Sequence, residues 1–206
     1  MKRLLQRTFL PLMAAWIAST ALAAPLHAIF VIDGTHARLK LLLGQALYGS
    51  LAELENAPEA WITVVKVCNT VNTVYNGPYS GDALGLYGEL QKDLSVCTTR
   101  GSAITAGLER ALTALQSKTQ PSVILYLTDG GTADDHAPKG KLEAVGKALS
   151  SQKNLKWLWV AGLGRQGDLR QQLVERLGVL ERKGLLHHSG MSDIAGTRDL
   201  LWNDLF

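Results

Sequence analysis

Three short segments far apart in the chain hold the residues best suited to chemistry: Asp33-Gly34-Thr35-His36-Ala37, Gly101-Ser102 and Leu127-Thr128-Asp129-Gly130. The first and third close short apolar runs, Ala28 to Ile32 and Val123 to Leu127, and the second opens a helical pattern. In an open α/β sheet, side chains at the carboxyl ends of strands meet in a crevice where the strand order reverses, so the segments are expected to form one site. His36 and His136 fall on the loops beside Asp33 and Asp129, with Asp134 and Asp135 nearby. Imidazoles among carboxylates suit a softer metal such as Zn²⁺, and the alternative is a set of solvated loop residues.

The elements that position these segments alternate between short β-type runs and longer helical ones, the pattern of βαβ units and a mostly parallel sheet. Strands are expected at Ala28 to Asp33, Trp61 to Val67, Val71 to Tyr75, Ser122 to Leu127, Lys156 to Ala161 and Gly184 to His187. The link between the second and third is too short to cross over, so that pair must be antiparallel. Asn76-Gly77-Pro78 reads as the end of the third strand.

Helices are expected at Ala37 to Leu54, Ala83 to Leu94, Ser102 to Gln116, Lys141 to Ser151, Asp168 to Leu177 and Ser192 to Leu205. Their apolar stripes include Leu39, Leu42, Leu43, Ala46 and Leu47 in the first and Leu84, Tyr87, Leu90 and Leu94 in the second. The fold class that follows is a Rossmann-like, doubly wound α/β sheet, mostly parallel with one antiparallel edge strand and helices on both faces. His187 and His188 share a strand and must point to opposite faces, one expected buried and the other exposed.

Residues 1–23 differ from the rest. Lys2, Arg3 and Arg7 make a positive start, Phe9 to Leu22 is uncharged and largely apolar, and Ala21-Leu22-Ala23 carries small residues where a signal peptidase reads. We expect cleavage after Ala23 and a single domain over residues 24–206, exported and most naturally periplasmic. The apolar stretch falls short of the ~18–20 residues of a spanning helix, so no membrane insertion is expected after cleavage.

Three of the 21 basic residues lie in that leader, which leaves 18 against 18 acidic ones. A formally neutral chain without a basic stripe gives no footprint for nucleic acid. Both cysteines, Cys68 and Cys97, lie in the exported part, where a disulfide is the default state. The alternative is a pair of buried thiols.

The three segments, in this order and on these elements, resemble a von Willebrand factor type A domain. The resemblance covers about Ala28 to the C-terminus: the strand ending in Asp33-Gly34-Thr35, the Thr99-Arg100-Gly101-Ser102 approach to a helix, Val123 to Gly130, and Val160-Ala161-Gly162-Leu163-Gly164. It implies a metal-ion-dependent adhesion site, with an Asp-x-Ser-x-Ser loop, a Thr on a second loop and an Asp on a third.

Carried over by position, Asp33 and Thr35 match the first two ligands, Ser102 replaces the Thr with another hydroxyl, and Asp129 matches the last. Ala37 stands where the second Ser belongs, and a water would fill that corner, which Mg²⁺ tolerates. The implied cofactor is Mg²⁺, with Mn²⁺ or Ca²⁺ as substitutes, and the implied partner is a protein presenting an Asp or Glu to the ion. The alternative is a metal-free scaffold in which Asp33 caps the following helix and Asp129 shapes a turn.

Two other motifs compete. Gly162-Leu163-Gly164-Arg165-Gln166-Gly167 spells GxGxxG, but the next strand offers His187 and His188 instead of an acidic ribose ligand, so glycines at a tight turn explain it better. Ile32-Asp33-Gly34-Thr35 is similar to the opening of haloacid-dehalogenase-type phosphatases, with Thr128 and Asp134-Asp135 as candidate later motifs. Those enzymes need a nucleophilic Asp two residues before the Asp-Gly-Thr, and here that position is Val31. No complete catalytic constellation stands out, and the expected activity is binding.

Overall fold

The computed structural model describes residues 25–35, 39–57, 59–95, 97, 103–128, 135–163 and 173–206. Six strands form one sheet: β1 His27–Asp33, β2 Trp61–Val67, β3 Val71–Pro78, β4 Ser122–Leu127, β5 Leu155–Leu163 and β6 Leu186–Gly190. Their order is β3-β2-β1-β4-β5-β6, with β2 and β3 antiparallel and every other pairing parallel. This is the doubly wound α/β sheet with one antiparallel edge strand that the alternation of elements implies.

The chain winds from β1 out to β2 and β3, then returns to the other side of β1 with β4. The order therefore reverses between β1 and β4, and their carboxyl ends flank the crevice. Both strands are buried along their whole length, as central parallel strands covered on two faces must be.

Each face of the sheet carries its own apolar layer. On one face Phe30, Ile32, Val64, Leu125 and Trp159 meet α1 (residues 39–53), α2 (Ala83–Asp93) and the closing helix α6 (Ile194–Asn203). On the other, Ile29, Val31, Val65, Tyr126 and Val160 meet α3 (Ile104–Gln116), α4 (Lys141–Ser150) and the short α5 (Gly178–Glu181). Residues of β1 and β4 divide between the two layers by strict alternation, the period-2 rule of the pleat, and β5 shifts its alternation at its irregularities. α1 contains a π-helical stretch, Leu43–Tyr48, which keeps Leu43, Ala46 and Leu47 buried.

Four local expectations need correction. β3 runs through Asn76-Gly77 to Pro78, which pairs with Trp61. At a sheet edge the proline's missing N–H takes no bond from the ladder, so the ring does not end the strand. The buried stripe of α2 is Ala83, Leu86 and Leu90, continued by Leu94, while Leu84 is 70% exposed. The last strand begins at Leu186, because Gly184 has φ +68° and belongs to the preceding turn. His187 and His188 are both half-buried, and burial lowers the His187 pKa from its ordinary value.

The closing helix packs on its own domain. Trp202 is buried, donates its Nε1–H to Ser50 Oγ at 3.1 Å and meets Trp157 edge-on at 5.3 Å between ring centroids. Among the described residues no helix is long and apolar enough to cross a membrane.

Candidate functional site

Asp33 is the last residue of β1, and its side chain is 1% exposed although it stands at the end of a strand. A carboxylate can be buried only when its oxygens are satisfied. Here Oδ1 accepts from the Thr35 backbone N–H at 3.0 Å and from the Thr35 hydroxyl at 2.5 Å. Oδ2 accepts from the Thr128 hydroxyl at 3.1 Å, across 95 positions of sequence.

Thr128 follows β4 directly and is itself buried, its N–H donating to Ala161 O at 3.0 Å. The two sides of the crevice are thus joined by one carboxylate and two hydroxyls. All three donors are oxygen, the chemistry preferred by a hard divalent cation.

Of the candidate ligands the structure describes Asp33 and Thr35, which share one local turn. Ser102, Asp129, Ala37 and His36 lie outside the described residues, as do Asp134 and the leader. The described bonds of Asp33 form a local turn with Thr35, and residues 36–38, on which the helix-capping alternative depends, lie outside the described residues. Thr128 is the site residue that inspection of ligand spacing misses. Its signal is the Leu127-Thr128-Asp129-Gly130 strand end, where the implied ligand set uses the aspartate and only the phosphatase alternative uses the threonine.

Cys68 and Cys97 form a disulfide, with Cα atoms 5.8 Å apart, and it lies at this end of the sheet. A Cβ on Gly34 would come within 2.5 Å of Cys97 Sγ and 3.4 Å of Cys68 Sγ. The Gly34 N–H donates to Val67 O, its carbonyl accepts from Cys97 N–H, and Ala103 N–H donates to Cys68 O, each at 2.9 Å. The bridge therefore rests on the peptide between Asp33 and Thr35.

A cavity of about 210 Å³ opens at the same end of the sheet, lined in part by Asn69, Ala103, Thr105, Asp135 and His136. Asp135 Oδ2 accepts from Thr105 N–H at 3.2 Å and from the Thr105 hydroxyl at 2.5 Å, so this carboxylate closes the start of α3. His136 is exposed. Among the described residues no group of three or more His, Cys, Asp or Glu side chains is placed to hold a metal, which leaves the imidazole-carboxylate reading without support there.

Two further motifs have described residues, with Gly164 to Gly167 lying outside them. Gly162 has φ +95° in a bulge of β5, where a Cβ would come within 2.6 Å of Leu42 Cδ2, so backbone geometry and packing account for this glycine. Val31, at the position a phosphatase nucleophile would take, is fully buried in the apolar layer facing α3.

No family model matches the sequence, and no curated protein matches it. Solved structures do. A von Willebrand factor type A protein from Catenulispora acidiphila superposes with a TM-score of 0.62 at 12% identity over 88% of this chain and 43% of that one. The vWF domain of the type V pili tip protein Mfa5 from Porphyromonas gingivalis gives 0.61 at 10% identity, over 89% of this chain and 95% of that one. Proximal thread matrix protein 1 from mussel byssus, described with a zinc-occupied MIDAS motif, gives 0.59 at 14% identity over 89% and 46%. The chain spans less than half of the first and third of these proteins. Its fold is that of von Willebrand factor type A domains.

Proposed function

We propose that this protein is an exported binding domain that recognises a protein partner through a bridging divalent cation. The observation that carries the reading is the buried Asp33 carboxylate at the β1–β4 crevice, dressed by the hydroxyls of Thr35 and Thr128. A buried carboxyl group with hydroxyl oxygens around it at a topological switch point matches the oxygen donor set that a hard cation prefers.

Asp33 and Thr35 would hold the ion together with Ser102 and Asp129, directly or through water, with water also at the corner left by Ala37. Mg²⁺ is the proposed ion, with Mn²⁺ or Ca²⁺ as substitutes; when bound, it supplies an open coordination position for an Asp or Glu of the partner. Thr128 would orient Asp33 without needing to touch the ion. The cavity beside Ala103 and the loop from Thr132 to Lys139 would supply partner selectivity.

The zinc-occupied motif of the mussel protein supports divalent binding on this fold, and the pili tip protein supports a role in protein contact. Export is proposed from the 1–23 leader, with the periplasm of a bacterial envelope as the destination. A disulfide-bonded pair of cysteines fits such a compartment.

Calorimetric titration of the mature protein with Mg²⁺ and Mn²⁺ tests the reading, with Asp33→Asn and Asp129→Ala as controls. Saturable binding lost in both variants is expected. Heats that never saturate in the wild type would sink the ion-bridged mechanism and leave the metal-free scaffold. Turnover of a generic phosphomonoester abolished by Asp33→Asn would instead revive the phosphatase.

A further inference from the structure

We propose that the Cys68–Cys97 disulfide is the positioning device of the Asp33-Gly34-Thr35 turn, so that the cation affinity of the site depends on this bond. The inference rests on the cation site proposed above and adds its control element.

Gly34 supplies the first argument. Glycine is usually required where φ is positive, and the described glycines of that kind are Gly81, Gly140, Gly162 and Gly184. Gly34 is not among them, so its backbone is open to other residues. What excludes a side chain there is sulfur: a Cβ would lie 2.5 Å from Cys97 Sγ, far inside contact distance. The glycine between the two ligand residues is accounted for by the bridge that presses on it.

The second argument is the path of the backbone bonds. Both hydrogen-bonding groups of Gly34 are engaged, one by the last residue of β2 and the other by Cys97. Cys97 belongs to no helix or strand, and among the described residues it is tied to this end of the sheet by its bond to Cys68 and by its N–H on the Gly34 carbonyl. Cys68 in turn accepts from Ala103, the residue that follows Ser102. One cross-link thus ties the first ligand loop to the flank of the second. Irregular segments otherwise open locally at small free-energy cost, and a cross-link removes that freedom.

A metal site feels such a loss through the orientation of its ligands. Changing groups that orient ligands weakens binding by roughly 10–100-fold. The same range is expected when the bridge is opened, while the core layers, which lie along the strands and not at their ends, stay intact.

The test compares the oxidised protein, the protein reduced by a dithiol, and the C68A/C97A variant, each with and without Gly34→Ala. Amide exchange at Gly34, Thr35 and Ala103 is followed without metal, and Mn²⁺ affinity is titrated separately. Opening the bridge should speed exchange at these amides by about tenfold or more, leave the β4 amides protected, and weaken Mn²⁺ by roughly 10–100-fold. Gly34→Ala should weaken Mn²⁺ in the oxidised protein and add little in C68A/C97A, where no sulfur remains to clash.

Unchanged exchange and unchanged Mn²⁺ affinity on reduction would overturn the proposal, and so would a Gly34→Ala effect of equal size in both backgrounds. If C68A/C97A does not fold, Gly34→Ala in the oxidised protein carries the test through exchange at Thr35. Absence of saturable Mn²⁺ binding in the oxidised wild type overturns the cation site itself, and exchange then decides whether the bond holds the turn.

Discussion

Acid should destabilise this domain through His27, at the opposite end of the strand that carries Asp33. His27 opens β1 and is fully buried, with Nε2 2.9 Å from Thr63 Oγ1. The Thr63 hydroxyl donates to Asn76 Oδ1 at 3.0 Å, which also accepts from Trp61 Nε1 at 2.8 Å. That network assigns the ring proton to Nε2 and leaves Nδ1 buried without a partner.

Protonation would place an N–H, and a charge, where no acceptor exists. Burial, with help from the Lys118 ammonium, lowers the pKa from 6.5 to about 4. The unfolded chain therefore takes up a proton below pH 6.5 while the native chain does not. The stability held by neutral His27 is complete above that value and is lost as pH falls toward about 4.

At 1.36 kcal/mol per pKa unit the loss approaches about 3 kcal/mol. For a chain of this size that is a melting-temperature change of roughly 6–12 °C. Urea or thermal unfolding of the wild type and His27→Gln from pH 7.5 to 4 isolates the effect, because carboxylates common to both cancel in the difference. The wild-type advantage should shrink by about 3 kcal/mol across this window. A difference that stays constant with pH would refute the reasoning.

Other outcomes follow from the same geometry. Thr128→Val removes the hydroxyl on Asp33 Oδ2 while nearly preserving volume, and should weaken Mn²⁺ roughly tenfold in calorimetry with little change in far-UV circular dichroism. Trp202→Ala should cost about 3–5 kcal/mol in urea unfolding, since it opens a cavity against Trp157 and frees Ser50, whereas Leu84→Ser on the exposed face of α2 should stay within about 0.5 kcal/mol. Gly162→Ala combines a left-handed backbone with a clash on Leu42, and a loss of about 1–3 kcal/mol is expected by the same measurement.

Much of the architecture was legible in the chain. Burial on both faces forces continuous apolar runs such as Val123 to Leu127, and helical stripes such as Leu39, Leu42, Ala46 and Leu47 have a period that no strand shares. Errors arose where sequence carries two compatible signals. Leu84 sits three residues before Tyr87 and Leu86 four before Leu90, both helical spacings, and only the direction from which the sheet approaches α2 selects Leu86. Pro78 reads as a breaker until its position on an edge strand is known, because edge or centre is a property of the sheet and not of the strand.

The candidate site divides along the same line. Asp33 and Thr35 are two residues apart, so a local pattern exposes them. Thr128 is distant in sequence and meets Asp33 only because β1 and β4 are neighbours in the sheet. Cys68 and Cys97 could be expected to pair from compartment chemistry alone, but their contact with Gly34 required coordinates.

By itself, then, the sequence determined the order of elements, the two apolar layers and the local Asp-Gly-Thr turn, because periodicity and short-range bonds act over a few residues. The tertiary structure decided which strand ends face each other, why position 34 has no side chain, and which distant hydroxyl reaches Asp33. Those depend on strand order and on backbones approaching from distant parts of the chain, and no short-range pattern encodes them.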